Sequence, residues 1–436
     1  MRFTLWAALL AALLIAPSDA AGGIPNPPIL DLTFRPKATA GTAPMVTAIP
    51  VPLFPGASAL WGSEGCDRRG HIWFGLTAEH TALPSAHLLE FDPISGRMTD
   101  RGDAVSELKQ AGLGRPGQRQ MKIHSHIVQG PEGWLYFASM DEAGEKEDGS
   151  KLPTWGSHLW RYKPGQAHWQ HLFAAPEGLI AVAGGGHFIF ALGYFNHVLY
   201  SYDTRSGQVR RTVVGSVGGH ISRNFLCDYR GHAYVPRLRT TVGAGGGRSV
   251  AVSLVEYDGQ LHELHQTPLA HYLTGSPTAS HGIVAFQEMA ERSIFFTTAQ
   301  GGLYRIEPPL PEEDGKPDPH PAKVLDLGWF NPGGPAYTAS LFTPNGRRIL
   351  YGLSRAQADL YGRQRYQWLA YDVLSGRCAV APFLIKGSGP EVLYDALLYG
   401  SSTRDRQGNF YVVGTLLRHG KPVILRVHVL ATATQR

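Results

Sequence analysis

The sequence predicts an all-β protein, a seven-bladed β-propeller whose ring is closed by an N-terminal strand. Only 17% of the 436 residues are charged, while 52 Gly, 31 Pro and a 10% aromatic share favour many short strands joined by turns. A Gly turn, an apolar strand, a loop and a second apolar strand recur along the chain. Their spacing of roughly 40–55 residues is typical of a four-stranded propeller blade.

Seven copies of this unit account for the blades. The copies are GHIWFGLTAEHTALPSAHLLEFDPISG (70–96), GWLYFASM…GSHLWRYKPG (133–165), HFIFALGYFNHVLYSYDTRSG (187–207), GHAYVPRL…SLVEYDG (231–259), RSIFFTTAQGGLYRIEP (292–308), RRILYGLS…AYDVLSG (347–376) and GNFYVVGT…ILRVHV (408–429). The last copy lacks a clear fourth strand, and MVTAIPVPLF (45–54) precedes the first full copy. We therefore predict that 45–54 supplies the missing strand, because ring closure hides an exposed sheet edge.

The N-terminus has the features of a secretory signal peptide. Arg2 precedes an apolar run over 5–15, and Ser-Asp-Ala at 18–20 resembles a cleavage site. The predicted organisation is a signal peptide (1–20), a Pro-rich leader (21–43) and a single propeller domain (44–436). No later stretch approaches the roughly 18 apolar residues of a membrane span. We expect a secreted or periplasmic protein without a membrane span.

The charge and the cysteines limit the partners. A net charge of +5 without any run of Lys or Arg argues against nucleic acid and favours an acidic small molecule or polymer. The three cysteines, Cys66, Cys227 and Cys378, are too widely spaced for a compact metal knuckle. Three buried thiols, one disulfide, or a thiolate ligand to a metal are the alternatives.

One face of the predicted propeller is rich in His, Arg and Tyr. Because strands alternate in direction, the starts of first and third strands and the ends of second strands share a face. The residues at these positions are His124, His126, His220, Arg223 and His281 (first strands), Tyr194, Arg237, Arg239 and Gln300 (second strands), and His87, His158 and His197 (third strands). The opposite face carries ordinary turn sequences such as DRRG and DYRG. We expect the functional site on the first face.

Several of these residues also have a structural interpretation. His87, His158 and His197 occupy the same position in three copies, so they can cap strands or pack between blades. His124 and His126 are two residues apart and should point the same way. Arg223 begins an innermost strand, where a charge needs an ion-pair partner or a ligand.

Arg, His and Tyr together suit β-elimination from a uronate sugar. A base removes the proton at C5, an acid protonates the oxygen leaving C4, and a cation neutralises the carboxylate. The face lacks the carboxylate pair of ordinary glycosidases, and the sequence has neither G-x-S-x-G nor H-E-x-x-H.

The segments HSHIVQGPEGWLYFASMDE, GSHLWRYKPG, GGHISRNFLCDYRGHAYVPR and SHGIVAF resemble the seven-bladed propeller polysaccharide lyases of the ulvan lyase type. The resemblance implies that His126, His158, Tyr194 and Arg223 are catalytic and converge in one cleft. It implies no cofactor for the chemistry, and it allows a structural zinc with His281 as one ligand. Six further residues of the face are predicted to bind substrate: His124, His197, His220, Arg237, Arg239 and Gln300.

Three functions are consistent with these features. The first is an exported lyase that cleaves a uronate-containing polysaccharide. The second is a non-catalytic propeller that binds a glycan or an envelope protein. The third is a metal-dependent hydrolase or lyase for small molecules, which needs several His or carboxylate ligands on the axis.

Overall fold

A computed structural model describes most of the chain. The described residues are 39–40, 42–146, 149–217, 220–242, 246, 248–272, 282–311, 320–356, 365–383, 396–416 and 420–429. The predicted signal peptide, most of the Pro-rich leader and His281 lie outside them. None of the helices within these residues is long and apolar enough to cross a membrane.

The strands of the described residues form seven sheets, one for each predicted blade. This arrangement confirms the all-β, seven-bladed propeller. Blades 1 to 4 consist of consecutive strands. Blade 1 contains β3 (Ala57–Ala59), β4 (Glu64–Cys66), β5 (Ile72–Ala78), β6 (His87–Phe91) and β7 (Met98–Asp103), and blade 2 contains β8 (Val128–Gln129), β9 (Leu135–Met140), β10 (Ser157–Tyr162) and β11 (Gln170–Ala175). Blade 3 contains β12 (Leu179–Gly185), β13 (Phe188–Gly193), β14 (Val198–Asp203) and β15 (Val209–Val213), and blade 4 contains β16 (Leu226–Cys227), β17 (Ala233–Val242), β18 (Arg248–Tyr257) and β19 (Glu263–Pro268).

Blades 5 to 7 complete the ring, and the last two recruit N-terminal strands. Blade 5 contains β20 (Ile283–Glu288), β21 (Ile294–Thr298), β22 (Gly302–Glu307) and β23 (Lys323–Trp329). Blade 6 contains β24 (Thr338–Phe342), β25 (Ile349–Ala356), β26 (Arg365–Asp372) and β27 (Cys378–Pro382), with β1 (Thr39–Ala40) added parallel to β27. Blade 7 contains β28 (Ala396–Arg404), β29 (Phe410–Leu416) and β30 (Lys421–His428), with β2 (Met45–Ile49) antiparallel to β30. The pairing of β2 with β30 confirms the predicted closure. The helices of the described residues are α1 (Ala104–Gln110) and a 3₁₀ turn (Pro131–Gly133).

The burial of each strand follows its place in the blade. Every residue of β5 and β9 is buried, because middle strands pack against neighbouring blades on both faces. The outermost strand β15 instead alternates between exposed and half-buried residues. The interior therefore consists of apolar layers between blades, rich in fully buried aromatics such as Trp73, Trp160 and Trp368.

The innermost strands of neighbouring blades contact one another around the axis. Gly65 in β4 shows how close the approach is. A Cβ atom at this position would collide with the carbonyl of Ile127, which precedes β8. This packing brings the residues at the start of each innermost strand to one end of the axis.

Breaking ring closure should destabilise the whole propeller. Val46 of β2 is buried against blade 7, whereas its neighbour Met45 is 49% exposed. We expect Val46→Asp to lower the free energy of unfolding by about 3 kcal/mol, since it buries an unpaired carboxylate. Met45→Asp places the same group in solvent on the same strand and should have little effect. Thermal melting of both variants tests this, and equal melting temperatures would contradict it.

Candidate functional site

A cavity lies at one end of the propeller axis. The empty space between its lining atoms amounts to about 270 Å³, a figure that includes open solvent, so little of it is enclosed. Its walls come from the innermost strands of six blades and the segments that precede them. The lining residues are Trp61, Gly62, His124, His126, Arg223, Asn224, Val284, Tyr337, Ala339, Tyr399 and Gly400. Three of the predicted site residues, His124, His126 and Arg223, therefore meet here.

Arg223 and His124 form the polar centre of the cavity. Nη1 of Arg223 lies 3.2 Å from Nε2 of His124. Burial, together with the charges of Arg223 and Lys122, holds the pKa of His124 well below its usual value. The imidazole is therefore neutral, and Nε2 accepts the hydrogen bond from the guanidinium. Burial works against the charge of Arg223, but neighbouring tyrosines, Tyr399 first, raise the pKa of Arg223 overall. The cavity thus contains a permanent cation.

His126 points into the same cavity, as its spacing from His124 predicts. Its ring lies edge-on to Phe286 of β20, with ring centroids 5.2 Å apart. Burial lowers the pKa of His126 to about 4, although a hydrogen bond with Asn224 acts in the opposite direction. His126 is therefore neutral at physiological pH and can accept a proton.

Aromatic rings form the rest of the wall. The guanidinium of Arg223 lies 4.6 Å from the ring centroid of Tyr399, which in turn lies 5.6 Å from that of Trp61. The ammonium of Lys122 lies 5.3 Å from the Trp61 ring and pairs with Glu142 at 2.5 Å. Burial raises the pKa of Tyr399 to about 12, so its hydroxyl is protonated at neutral pH. The wall offers flat apolar faces and a proton donor beside a cation.

Tyr194 lies close to this centre without lining the cavity. Its side chain is buried, with its ring centroid 5.5 Å from that of Phe195. Burial and the charge of Glu142 raise the pKa of Tyr194 well above its usual value, while the charge of Arg223 opposes them. The charge of Arg223 thus influences the pKa of Tyr194, although Tyr194 lies within an apolar layer between blades.

His158 lies away from the cavity, among the outer strands of blade 2. It occupies β10, where Nδ1 is 3.0 Å from Nε2 of His171. Its Nε2 lies 3.4 Å from the amide nitrogen of Gln118, and its ring packs near Trp160. The expected convergence of His126, His158, Tyr194 and Arg223 in one cleft is therefore not seen. His158 contacts groups of its own blade and of the segment after α1.

His197, His220 and Arg237 have structural contacts between and within blades. Nδ1 of His197 donates to the carbonyl of Pro236 (3.0 Å), and Nε2 accepts from the backbone N–H of Ser222 (3.1 Å). His220 is fully buried, and its Nε2 lies 2.9 Å from the Tyr272 hydroxyl. The guanidinium of Arg237 pairs with Glu263 at 2.7 Å. These side chains stabilise the propeller and do not line the cavity that was expected to bind substrate.

The other two predicted substrate-binding residues also lie outside the cavity lining. Arg239 is exposed on β17. Gln300 is half-buried in the turn between β21 and β22. The strand assignment placed both near second-strand ends, but second strands lie one step outward from the axis.

Acid should destabilise the protein through His197. Burial lowers its pKa to about 4, against about 6.5 in an unfolded chain. Both states are neutral above pH 6.5, whereas between pH 6.5 and 4 only the unfolded state binds the proton. The free energy of unfolding should therefore fall with acidification, by up to about 1.4 kcal/mol per pH unit.

His197→Asn should reduce this pH dependence by the share of His197, while His124 and His126, whose pKa values are also lowered by burial, retain theirs. The control His80→Asn changes an 87% exposed histidine that shares the positive φ of His197. Denaturant unfolding between pH 7.5 and about 4 measures both slopes. Identical slopes in the two variants and the parent would show that His197 contributes nothing.

The described residues contain two groups with metal-like ligand spacing, Asp67–His71–Glu90 in blade 1 and Asp228–His232–Glu256 in blade 4. Each surrounds a guanidinium: Arg69 bonds both carboxylates of the first group, and Arg230 bonds both of the second. A metal would have to displace that cation, so these groups do not fit the zinc that the resemblance allows. A zinc site that includes His281 stays a prediction.

The three cysteines are free thiols. They lie in the strands β4, β16 and β27. Of the three alternatives above, unpaired thiols describe them best, with Cys378 buried and Cys66 and Cys227 half-buried. Burial raises the pKa of Cys66 and of Cys378 to about 12 and that of Cys227 well above its usual value. None of the three is a thiolate at neutral pH.

Four residues at or beside the cavity were not predicted from the sequence: Trp61, Tyr337, Tyr399 and Arg355. Trp61 and Tyr337 precede the innermost strands β4 and β24, within SALWGS and GPAYTA, and Tyr399 lies inside the innermost strand β28, within LLYGSS. Arg355 ends the second strand of blade 6. The positional rule that selected His124 and Arg223 also selects Trp61, Tyr337 and Arg355, so a search of every blade for aromatic as well as charged residues would have found these three. Tyr399 lies in the middle of its strand, where the rule does not apply.

The fold and the cavity together define a seven-bladed β-propeller with a cationic, aromatic-walled cavity at one end of its axis. No protein-family profile matches the chain, and no curated protein matches its sequence. Similar solved structures include that of U3-55K, with 11% identity over 89% of this chain and all of that one, at a TM-score of 0.47. The complex of KlAtg21 with the coiled-coil of AgAtg16 gives 10% identity over 85% of this chain and all of that one, at 0.44. Neither similarity bears on function.

Proposed function

We propose that the protein is an exported lyase that cleaves a uronate-containing polysaccharide by β-elimination in the axial cavity. The observation that supports this most is the contact between Arg223 and neutral His124 beside a second neutral histidine, His126. A buried guanidinium suits a carboxylate, which its planar fork can bind at two points. The proposal places the protein outside the cytoplasm because of the signal-like N-terminus.

The reaction assigns one task to each group. Arg223 binds the uronate carboxylate and stabilises the charge that develops there when C5 loses its proton. His126 accepts that proton on its imidazole. The electron pair forms the C4–C5 double bond as the C4–O4 bond breaks, and Tyr399 donates its hydroxyl proton to the leaving oxygen.

The roles of His124, Tyr194 and His158 in this reaction differ from those predicted from the sequence. His124 holds the guanidinium of Arg223 and acts as a positioning residue, because its Nε2 is already occupied by that hydrogen bond. Tyr399 takes the donor role predicted for Tyr194, because Tyr399 lines the cavity. A catalytic role for Tyr194 or His158 stays a prediction, and His158 would need to act from outside the cavity.

A panel of acidic polymers tests the proposal. Purified protein is incubated with ulvan, alginate, pectin and a heparinoid, and with a neutral polysaccharide as control. The conjugated double bond of the product is detected by its ultraviolet absorbance. Product from at least one uronate polymer is expected. Its absence from all of them, at protein concentrations sufficient to detect single turnovers, would overturn the proposal.

A second function is favoured by the position of His158. The resemblance counts His158 among the catalytic residues, yet His158 lies outside the cavity. The same cation and aromatic wall can bind an acidic glycan or an envelope protein without cleaving it. Binding of a uronate polymer in equilibrium dialysis, with no product, would support this function over the lyase.

A further inference from the structure

A second guanidinium, that of Arg355, lies beside the axial cavity. It is 4.4 Å from the ring centroid of Tyr337, a lining residue, and 6.0 Å from that of Tyr366. The charges of Arg223 and Arg355 both act on the titration of Tyr337 and of Tyr399. The two cations therefore flank the same pair of tyrosines.

Arg355 is half-buried, and its partners differ from those of the buried Arg230 and Arg237. Arg230 pairs with Asp228 at 2.7 Å, and Arg237 pairs with Glu263 at 2.7 Å. Arg355 has no carboxylate within ion-pair distance in the part of the chain that the structure describes, and its Nε is buried there without a hydrogen-bond partner. The Arg355 side chain hydrogen-bonds with Tyr366 and packs against the rings of Tyr337 and Tyr366, none of which is a carboxylate.

The Tyr337 hydroxyl, like Nε of Arg355, lacks a hydrogen-bond partner among the described residues. It is buried, and no described group accepts or donates a hydrogen bond to it. A buried donor without a partner costs free energy that a suitable acceptor recovers. Two such donors from contacting side chains, one of them a cation, match an oxyanion, which can accept from both.

We propose that Arg355 and Tyr337 form a second anion subsite, which binds a further carboxylate or sulfate ester of the acidic ligand held by Arg223. The inference uses the cavity of the proposed function and specifies its ligand: a saccharide with two anionic groups. A singly charged sugar would fill only the Arg223 half of the site.

Inorganic sulfate is the probe for the subsite, because its binding requires no turnover. Isothermal titration at constant ionic strength should give two sulfates per chain for the parent protein and one for Arg355→Ala. Tyr337→Phe removes only the hydroxyl and should weaken one of the two sites severalfold. The control Arg348→Ala changes an exposed arginine of the same blade, paired with Asp372, and should bind like the parent.

Two results would overturn the subsite: no sulfate binding by the parent, or unchanged stoichiometry and affinity in Arg355→Ala. If Arg355→Ala does not fold, Arg355→Lys and Tyr337→Phe decide the question, since parent-like binding in both contradicts the proposal. The subsite fails alone if Arg355→Ala binds sulfate normally while the parent cleaves a uronate polymer. The lyase fails alone if sulfate binds as expected and no polymer is cleaved.

Binding of defined saccharides shows whether the subsite prefers a carboxylate or a sulfate ester. Digalacturonate supplies two carboxylates, and a sulfated uronate disaccharide supplies a carboxylate and a sulfate ester. The ligand that loses about tenfold or more in affinity on Arg355→Ala, relative to galacturonate, carries the group that the subsite selects. Equal losses for galacturonate and both disaccharides would show that Arg355 does not recognise a second anion.

Discussion

If the proposed lyase function holds, replacing Arg223 with alanine is expected to lower product formation from a uronate polymer by about 100- to 1000-fold. This is the size of effect seen when a preorganised donor to a developing oxyanion is removed. Arg223 is the cation that lies within the cavity lining, in contact with His124 and Tyr399. In the proposed mechanism, the negative charge that builds up on the carboxylate beside C5 would then lack its compensating cation, and the carbanion-like transition state would lose its main stabilisation.

The experiment separates chemistry from folding and from general charge effects. Initial rates of absorbance increase are compared for the parent, Arg223→Ala, Arg223→Lys and the exposed control Arg348→Ala. Arg223→Lys should recover part of the rate at most, since an ammonium lacks the planar fork. Circular dichroism and melting verify that each variant is folded. A folded Arg223→Ala with more than about a tenth of the parent rate would remove Arg223 from the mechanism.

The propeller could be predicted from the sequence because its signals are local and repeated. Gly turns, apolar strands and aromatic strand ends recur in every blade, so an error in one copy is corrected by the others. The closing strand was predictable because the seventh copy lacked an edge partner and 45–54 lacked a sheet. The pairing of β1 with β27 had no such signal, since two residues carry no periodicity.

The site was only partly predictable, because it depends on distance from the axis. His124, His126 and Arg223 precede innermost strands and reach the cavity. His158 and Arg237 belong to outer strands, where ladder partners and ion pairs engage them. Both groups share one propeller face, and the prediction selected residues by face, so residues of outer strands were assigned to the site together with axial ones. Sequence also could not reveal that Arg237 has a carboxylate partner while Arg355 has none among the described residues.

The structural arginines offer a comparison that the repeat itself provides. Arg69 in blade 1 and Arg230 in blade 4 occupy equivalent turns, each bonded to an aspartate two residues earlier and to a glutamate on the third strand. Arg230 and Asp228 have fully buried side chains, whereas Arg69 is 48% exposed. The two sites therefore share their chemistry and differ in solvation.

Arg230→Ala should lower the free energy of unfolding by about 3–5 kcal/mol, because it leaves Asp228 and Glu256 buried without their cation. Arg69→Ala should cost about 1 kcal/mol or less, since water reaches the site and Arg101 still pairs with Glu90 at 2.6 Å. Guanidinium chloride unfolding, followed by tryptophan fluorescence, compares the two variants directly. Equal losses would mean that burial does not determine the strength of this repeated network. A larger loss in blade 4 would show that the same turn sequence, DRRG or DYRG, stabilises the fold according to how deeply its blade buries it.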